Sequence, residues 1–260
     1  MSLLRVAAAA VGTTPRDDAE ALDLAGCALD AAAAAGARLL LLPQRLLGGA
    51  ACGILSDAPP LRALGEAAGR RGVALACGYL EHCSGRRHDA ALFIDGQGGA
   101  LANYRRTHAE PAGDAAAEVA PGHWLNLVRF AGGKVGLLVG ADIEAPEPAR
   151  ALALAGASLL AVAARGFGPD GAMAEAVLRT RAFENGCGLL FANLDGPAGA
   201  PAALIVGPDG AVLASAATGI AVADLPMERP EAGHRRLATR RPPLYHRLVL
   251  PHATEEVPRT

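Results

Sequence analysis

The chain has 260 residues, of which 52% are hydrophobic, 19% charged and 3% aromatic, and its formal net charge is −2. Intrinsic disorder needs low hydrophobicity and high net charge, so it is excluded. No basic stripe marks a nucleic-acid binder, and no uncharged apolar run is long enough for a membrane span. The N-terminal MSLLRVAAAAVG lacks the charged leader of a signal peptide and predicts a strand instead. Cys27, Cys52, Cys77, Cys83 and Cys187 are odd in number and contain no CxxC pair, which argues against a disulfide framework or a structural zinc. The expectation is a reducing, cytoplasmic setting with no metal and no cofactor. Among 24 basic residues there is one lysine, Lys134.

Strand-length apolar runs alternate with helical stretches. Residues 3–11 predict a strand. Residues 17–35 predict a helix, with acids in the first turn where the helix dipole favours them and Gly36 as its stop. RLLLL (38–42) is a buried strand ending at Pro43, residues 59–71 are helical, and VALACGYL (73–80) is a strand. AALFID (90–95) and ALANY (100–104) flank GQGG and predict a hairpin. Residues 134–139 predict a strand, 146–156 a helix opened by Pro146, and 158–164 a strand. A helix over 170–186 has Asp170 as its N-cap, and 188–193 is a strand. Residues 203–206 and 211–214 flank GPDG as a second hairpin. The last 35 residues, with RRLATRRPPLYHR, predict an irregular basic arm that faces solvent or a subunit. Strand–helix alternation with hairpins gives an α/β protein of mixed sheets, and LLLL implies a sheet covered on both faces.

The order of motifs resembles the nitrilase superfamily, the carbon–nitrogen hydrolases. GARLLLLPQRLLGGA is similar to the family's strand ending in Pro-Glu and its following Thr-Gly-Tyr loop. CGYLE, a hairpin and NYRRTH resemble its Tyr-Arg-Lys-x-His segment, and VAPGHW its Phe-x-Pro-Gly turn. KVGLLVGADIEAPEPARALALAGASLL resembles the Cys-Tyr-Asp strand with its Pro-Glu helix, and RTRAFENGCGLLFAN the Arg-Ala-x-Glu-Asn helix and next strand. IVGPDGAVLA and RRPPLY complete a match over residues 3 to 250. The resemblance implies a four-layer α-β-β-α sandwich in a single domain. It places a carbon–nitrogen hydrolase-like domain at 1–225 and a C-terminal arm at 226–260, packed on that domain or on a neighbouring subunit. It also implies a homodimer or a larger homo-oligomer.

The family hydrolyses nitriles or amides with a cysteine nucleophile, a proton-moving glutamate and a charge-stabilising lysine. Residue by residue, those positions fall on Gly140, Gln44 and Arg106. Glycine offers no nucleophile. Glutamine takes no proton near neutral pH, and arginine holds a delocalised charge it does not release. Lys134 lies six residues before Gly140, roughly 20 Å away along a strand. Cys52, in the loop after Gln44, is the nearest substitute nucleophile and reads as a loop residue. Cys77 and Cys187 read as core, and Cys83 as a turn residue.

The surroundings depart from the family as well. Ala141 replaces the tyrosine after the cysteine, Glu144 an arginine, and Ala50 the loop tyrosine. Ala115 stands where a second pocket glutamate is found, with Asp114 and Glu118 off register, and Ala203 replaces a serine. His108, Asp142, Arg181, Glu184 and Asn185 match framework positions, and Trp124 reads as a packing anchor. Of Arg105 and Arg106, one points inward and one outward.

Cysteine-dependent hydrolysis is therefore expected to be absent. A homologue retained for ligand binding or assembly is the resulting expectation. Its ligand-facing residues are Gln44, Arg106, Ala141, Glu144 and Cys52. With Gln44 neutral, Arg106 is expected to be free to bind a small anion, or to be quenched by Glu144. The alternative is hydrolysis of a small amide or nitrile, or other chemistry, by a rearranged mechanism.

Overall fold

The computed structural model describes residues 2–51, 58–108, 119–168, 171–196 and 199–249. Two six-stranded mixed sheets stack face to face between pairs of helices. The first sheet is built from β1 (Leu3–Ala10), β2 (Leu39–Ala51), β3 (Ala74–Cys83), β4 (Arg86–Ile94), β5 (Ala100–Arg105) and β12 (Gly219–Pro226), in the order β12-β1-β2-β3-β4-β5. The second is built from β6 (Leu127–Phe130), β7 (Gly133–Val139), β8 (Leu159–Arg165), β9 (Gly188–Leu194), β10 (Ala203–Val206) and β11 (Val212–Ala216), in the order β11-β10-β9-β8-β7-β6. Each sheet has a parallel centre, β1-β2-β3 and β7-β8-β9, flanked by antiparallel strands.

Period-two alternation sorts the apolar side chains into layers. In β2, Leu40 and Leu42 face α1 (Asp18–Ala34) and α2 (Pro59–Arg71), where Ala21, Ala25, Leu29, Leu61, Leu64 and Ala68 cover them. Leu39 and Leu41 face the other way and meet Leu137, Val139, Leu159 and Leu190 of the second sheet. On the far side, Leu138, Leu160 and Leu189 pack under α3 (Pro146–Leu154) and α4 (Gly171–Asn185) through Ala149, Leu152, Leu178 and Ala182. The sequence reads as continuously apolar because both faces of each sheet are covered.

Four features depart from the sequence reading. First, β2 does not stop at Pro43 but runs on to Ala51, with register shifts after Leu42 and Leu47. A Cβ at Gly78 of β3 would lie 2.4 Å from the Gln44 Cα, so glycine there lets the irregular strand press close. Second, β3 and β4 form a hairpin through Ser84 and Gly85, at φ 50° and 75°, the paired positive angles of a tight hairpin turn. Third, the edge strands β6 and β12 are additional, and β12 pairs along the whole of β1.

Fourth, the C-terminal stretch is not irregular over its described part, which ends at Val249. It holds α5 (Glu231–Ala238) and a 3₁₀ segment, Pro242–Val249. Gly186 and Gly233 bring α5 against the end of α4, since a Cβ on Gly186 would lie 2.5 Å from the Gly233 Cα. Arg229 donates to the carbonyls of Ala153 (2.7 Å) and Ala157 (2.6 Å) at the end of α3. Arg236 donates to the Phe183 carbonyl of α4 and lies 3.8 Å over the Phe183 ring. These guanidiniums satisfy carbonyls that helix ends leave open. Among the described residues, no helix is long and apolar enough to cross a membrane.

Candidate functional site

The C-terminal ends of β2 and β7 and the chain leaving β5 come together at one end of the sandwich. Gly140 follows β7 at a strand-to-turn corner, with φ 52°, and opens the 3₁₀ turn Gly140–Ile143. A strand-to-helix corner in this left-handed region is the geometry that presents an exposed nucleophile in hydrolases. Here the corner carries a hydrogen atom, and the adjacent Ala141 is buried.

Asp142 holds that corner to the segment bearing Arg106. Its fully buried carboxylate accepts from the amides of Val139 (3.1 Å), Thr107 (3.0 Å) and His108 (3.0 Å). It also accepts from the Tyr104 hydroxyl (2.7 Å), the Thr107 hydroxyl (2.9 Å) and His108 Nδ1 (3.0 Å). Tyr104 and Thr107 belong to the first sheet and its exit, whereas Asp142 belongs to the second, so the cluster is a polar clasp across the sandwich. From α4, Arg181 donates to the carbonyls of Ile143 (3.1 Å) and Glu144 (2.6 Å), and Asn185 donates back to the Arg181 carbonyl (2.9 Å).

The clasp shifts two titrations. The Asp142 carboxylate is pushed up by burial, but the hydrogen bonds from His108, Tyr104, the Val139 amide and Thr107 outweigh this and hold it below the ordinary 3.8. The hydrogen bond to Asp142 raises the His108 imidazole above 6.5, against opposing desolvation. The raised His108 contributes stability that is complete below pH 6.5 and is lost as the pH climbs through its higher folded value. The lowered Asp142 contributes stability present above pH 3.8 and lost as the pH falls through its lower folded value. Denaturant unfolding at pH 5.5 and 8.5 is expected to show a larger advantage of wild type over His108→Gln at the acid pH. The difference is small, because the imidazole is 42% exposed and therefore screened.

Arg106 is 4% exposed, whereas Arg105 turns to the other face and pairs with buried Glu81. The expectation that Arg106 lacks an acidic neighbour is not met. Its Nη2 lies 3.0 Å from Oδ2 of Asp89, a fully buried residue of β4, and its amide donates to the Asp89 carbonyl at 2.8 Å. The same carboxylate accepts from Arg45 Nη2 at 2.9 Å, and Arg45 sits at φ 53° directly after Gln44. Strand parity explains the cluster: Ala91 and Phe93 face between the sheets, and Asp89 shares their side of β4. Glu144 makes no ion pair with Arg106; its residue is exposed and its carbonyl is held by Arg181.

Gln44 is 3% exposed, and its side-chain oxygen has no hydrogen-bond partner among the described residues. Thus Asp142 ties the Arg106 segment to the Gly140 corner, and Arg45 and Asp89 tie the Gln44 strand to Arg106. Sequence reasoning missed Asp89 and Arg45. The available signal was a lone aspartate opening an otherwise apolar strand, HDAALFI, together with an arginine beside Gln44.

Cys52, Asp114, Ala115 and Glu118 lie outside the described residues. Cys77 and Cys187 are core residues, the thiol of Cys77 being pushed up to about 12 by burial. Lys134 sits at the opposite end of β7 and donates to the Ala155 carbonyl at 2.9 Å. Trp124 is not a packing anchor: it is 81% exposed. The backbone around it does the packing, with the Gly122 amide donating to the Arg106 carbonyl (2.7 Å) and Asn126 Nδ2 to the Asn103 carbonyl (2.8 Å) along the edge of β5. Among the described residues, no group of His, Cys, Asp and Glu side chains is placed to hold a metal.

The stacked sheets and the outer helix pairs define an α-β-β-α sandwich. Residues 5–234 match the carbon-nitrogen hydrolase family, and the chain belongs to that family and to the nitrilase superfamily. It is 35% identical over 233 residues to "Hydrolase in pqqF 5'region" of Pseudomonas protegens, covering 83% of this chain and 82% of that one. It is 34% identical over 183 residues to an (R)-stereoselective amidase of a Pseudomonas species, covering 68% of this chain and 62% of that protein. Among solved structures it is similar to a variant of the Nesterenkonia sp. AN1 amidase that shows covalent addition of the acetamide moiety of fluoroacetamide at the active site cysteine. That likeness has a TM-score of 0.79 at 29% identity over 95% of this chain and 97% of the other.

Proposed function

We propose that this chain is a carbon–nitrogen hydrolase homologue without cysteine-dependent hydrolysis, retained for binding a small molecule or for assembly. One observation carries the reading. The corner at residue 140 keeps its left-handed turn and its Asp142 clasp, yet the residue there is glycine. A covalent mechanism needs a nucleophile and an activating base. Gly140 supplies no nucleophile and Gln44 no base, and Arg106 already holds a carboxylate. The support from relatives is that their named activities are amidases and a hydrolase, with a cysteine at the active site of the Nesterenkonia enzyme.

Assembly as a homodimer is supported by exposed positions on α4. Ala176, Thr180 and Phe183 (47% exposed, with Arg236 over one face of its ring) recur at four- and three-residue spacing along it. A groove of about 350 Å³ lined by Ala176, Arg179, Thr180, Phe183, Asp209 and Gly210 runs beside them. Among the described residues, the thiols of Cys27, Cys77 and Cys187 outside any disulfide fit a cytoplasmic setting.

Ammonia release from a panel of aliphatic and aromatic amides and nitriles tests the proposal. No release above the uncatalysed rate is expected. Release that vanishes in Cys52→Ser would replace the proposal with a rearranged cysteine mechanism.

A further inference from the structure

We infer that the junction of α3, α4 and α5, at the end of the sandwich opposite Gly140, binds a phosphate group through Arg150, Arg229 and Arg240. The ligand class is inorganic phosphate or a small phosphomonoester, which present the same oxygens to these arginines.

Three observations carry it. First, the guanidiniums converge from different elements. The stem of Arg229 lies across the contact between α4 and α5, since a Cβ on Gly233 would lie 2.9 Å from its Cγ, and its Nη2 reaches the end of α3. Arg150, on α3, donates to the Glu184 carbonyl at the end of α4 at 2.8 Å. Arg240 follows the C-cap of α5 and stands close enough to act on Arg150. Burial, and then the repulsion of Arg240 and Arg229, hold the Arg150 guanidinium below its ordinary value, against the pull of Glu184 and Cys187. Second, this charge is not matched. Among the described residues no carboxylate oxygen lies within hydrogen-bond distance of the three, for Glu184 is 3.9 Å from Arg150 and pairs instead with Arg181 at 3.2 Å. A helix C-terminus carries roughly −0.5 of a charge, so the ends of α3 and α4 offset about one of the three positive charges. The remaining charge of about two suits a phosphate monoester, at roughly −1.5 to −2 near neutral pH, better than a carboxylate. Third, donors remain. The Nε of Arg229 is buried with no acceptor among the described residues, and the half-buried Arg240 guanidinium lies 5.4 Å over the Tyr245 ring without a hydrogen bond to it. Buried donors are rarely left unpaired, and arginine forks match phosphate oxygens two at a time.

The test is calorimetric titration of inorganic phosphate into the full chain at pH 7.5 and constant ionic strength, with acetate as the monovalent probe. Wild type is expected to bind phosphate at least tenfold more tightly than acetate, and phosphate should raise its thermal midpoint. Arg240→Gln, which removes no side-chain hydrogen bond among the described residues, should weaken phosphate at least tenfold, and so should Arg150→Gln. Arg5→Gln, at an exposed pair on the first sheet, should leave phosphate affinity unchanged. Should Arg150→Gln not fold, the wild-type ratio and Arg240→Gln still decide. No phosphate binding, acetate bound as tightly as phosphate, or an unchanged affinity in Arg240→Gln would overturn the inference. Self-association that phosphate leaves untouched and Arg240→Gln abolishes would assign these arginines to a neighbouring subunit and overturn it as well.

Discussion

Replacing Asp142 with alanine is expected to lower the unfolding free energy by about 3–5 kcal/mol, the range for breaking one side of a buried charged network. The physical reason is the number of donors stranded. The amides of Val139, Thr107 and His108 and the hydroxyls of Tyr104 and Thr107 all converge on this carboxylate. Each buried donor left unpaired costs roughly 1–3 kcal/mol, and the Val139 amide and Tyr104 hydroxyl have the least access to replacement water. For a chain of this size the midpoint of thermal unfolding should fall by roughly 10 °C or more. Asp142→Asn keeps the shape and one acceptor, so it should fall between alanine and wild type. The Arg5–Asp224 pair is the control: both side chains are 40–50% exposed and screened by solvent, so Asp224→Ala should leave stability close to wild type. Equal losses for Asp142→Ala and Asp224→Ala in chemical denaturation would show that the clasp is not what holds the two sheets at the site.

The second large effect is on catalysis. Gly140→Cys alone is expected to give little or no amide hydrolysis. The φ of 52° lies in the left-handed region and costs a non-glycine residue roughly 1–2 kcal/mol, a strain the fold is expected to absorb. The new thiol would still lack a proton acceptor, since Gln44 is neutral. Adding Gln44→Glu and Arg106→Lys supplies a base and a compact cation. A positioned base contributes about 10²–10⁴-fold and a charge-stabilising donor about 10²–10³-fold. The triple variant should therefore exceed Gly140→Cys by roughly 10²-fold or more in steady-state ammonia release, with the residues acting as a unit rather than additively. A single variant as active as the triple would mean that the native Gln44 and Arg106 already form a competent site.

Much of the fold is legible because its strands are apolar on both faces. LLLL in β2 and LLFAN in β9 need covers on each side, and helical stretches lie between them to provide those covers. What escapes are elements whose signal is weak or depends on the tertiary setting. β6 is four residues long, and β12 becomes a strand by pairing with β1, more than 200 positions away in sequence. The helix α5 is mostly polar, and beside the packing of Leu237 it is held by a glycine contact and by arginines that bind helix-end carbonyls. The identities of Gln44, Arg106 and Gly140 are legible from motif order. The partner of Arg106 is not, because Asp89 comes from another strand and only the alternation of β4 turns it inward. Trp124 shows the opposite failure: a lone large aromatic invites a packing role, but the adjacent backbone already closes the edge of β5.

The most direct measurement is intact-mass spectrometry with peptide mapping after incubating the native protein with fluoroacetamide, an electrophile that a primed cysteine would capture. With glycine at residue 140 and no base at Gln44, every cysteine should react slowly, and none faster than the exposed Cys27. Rapid stoichiometric labelling confined to Cys52, accompanied by amide turnover that Cys52→Ser abolishes, would contradict the account and establish a relocated nucleophile.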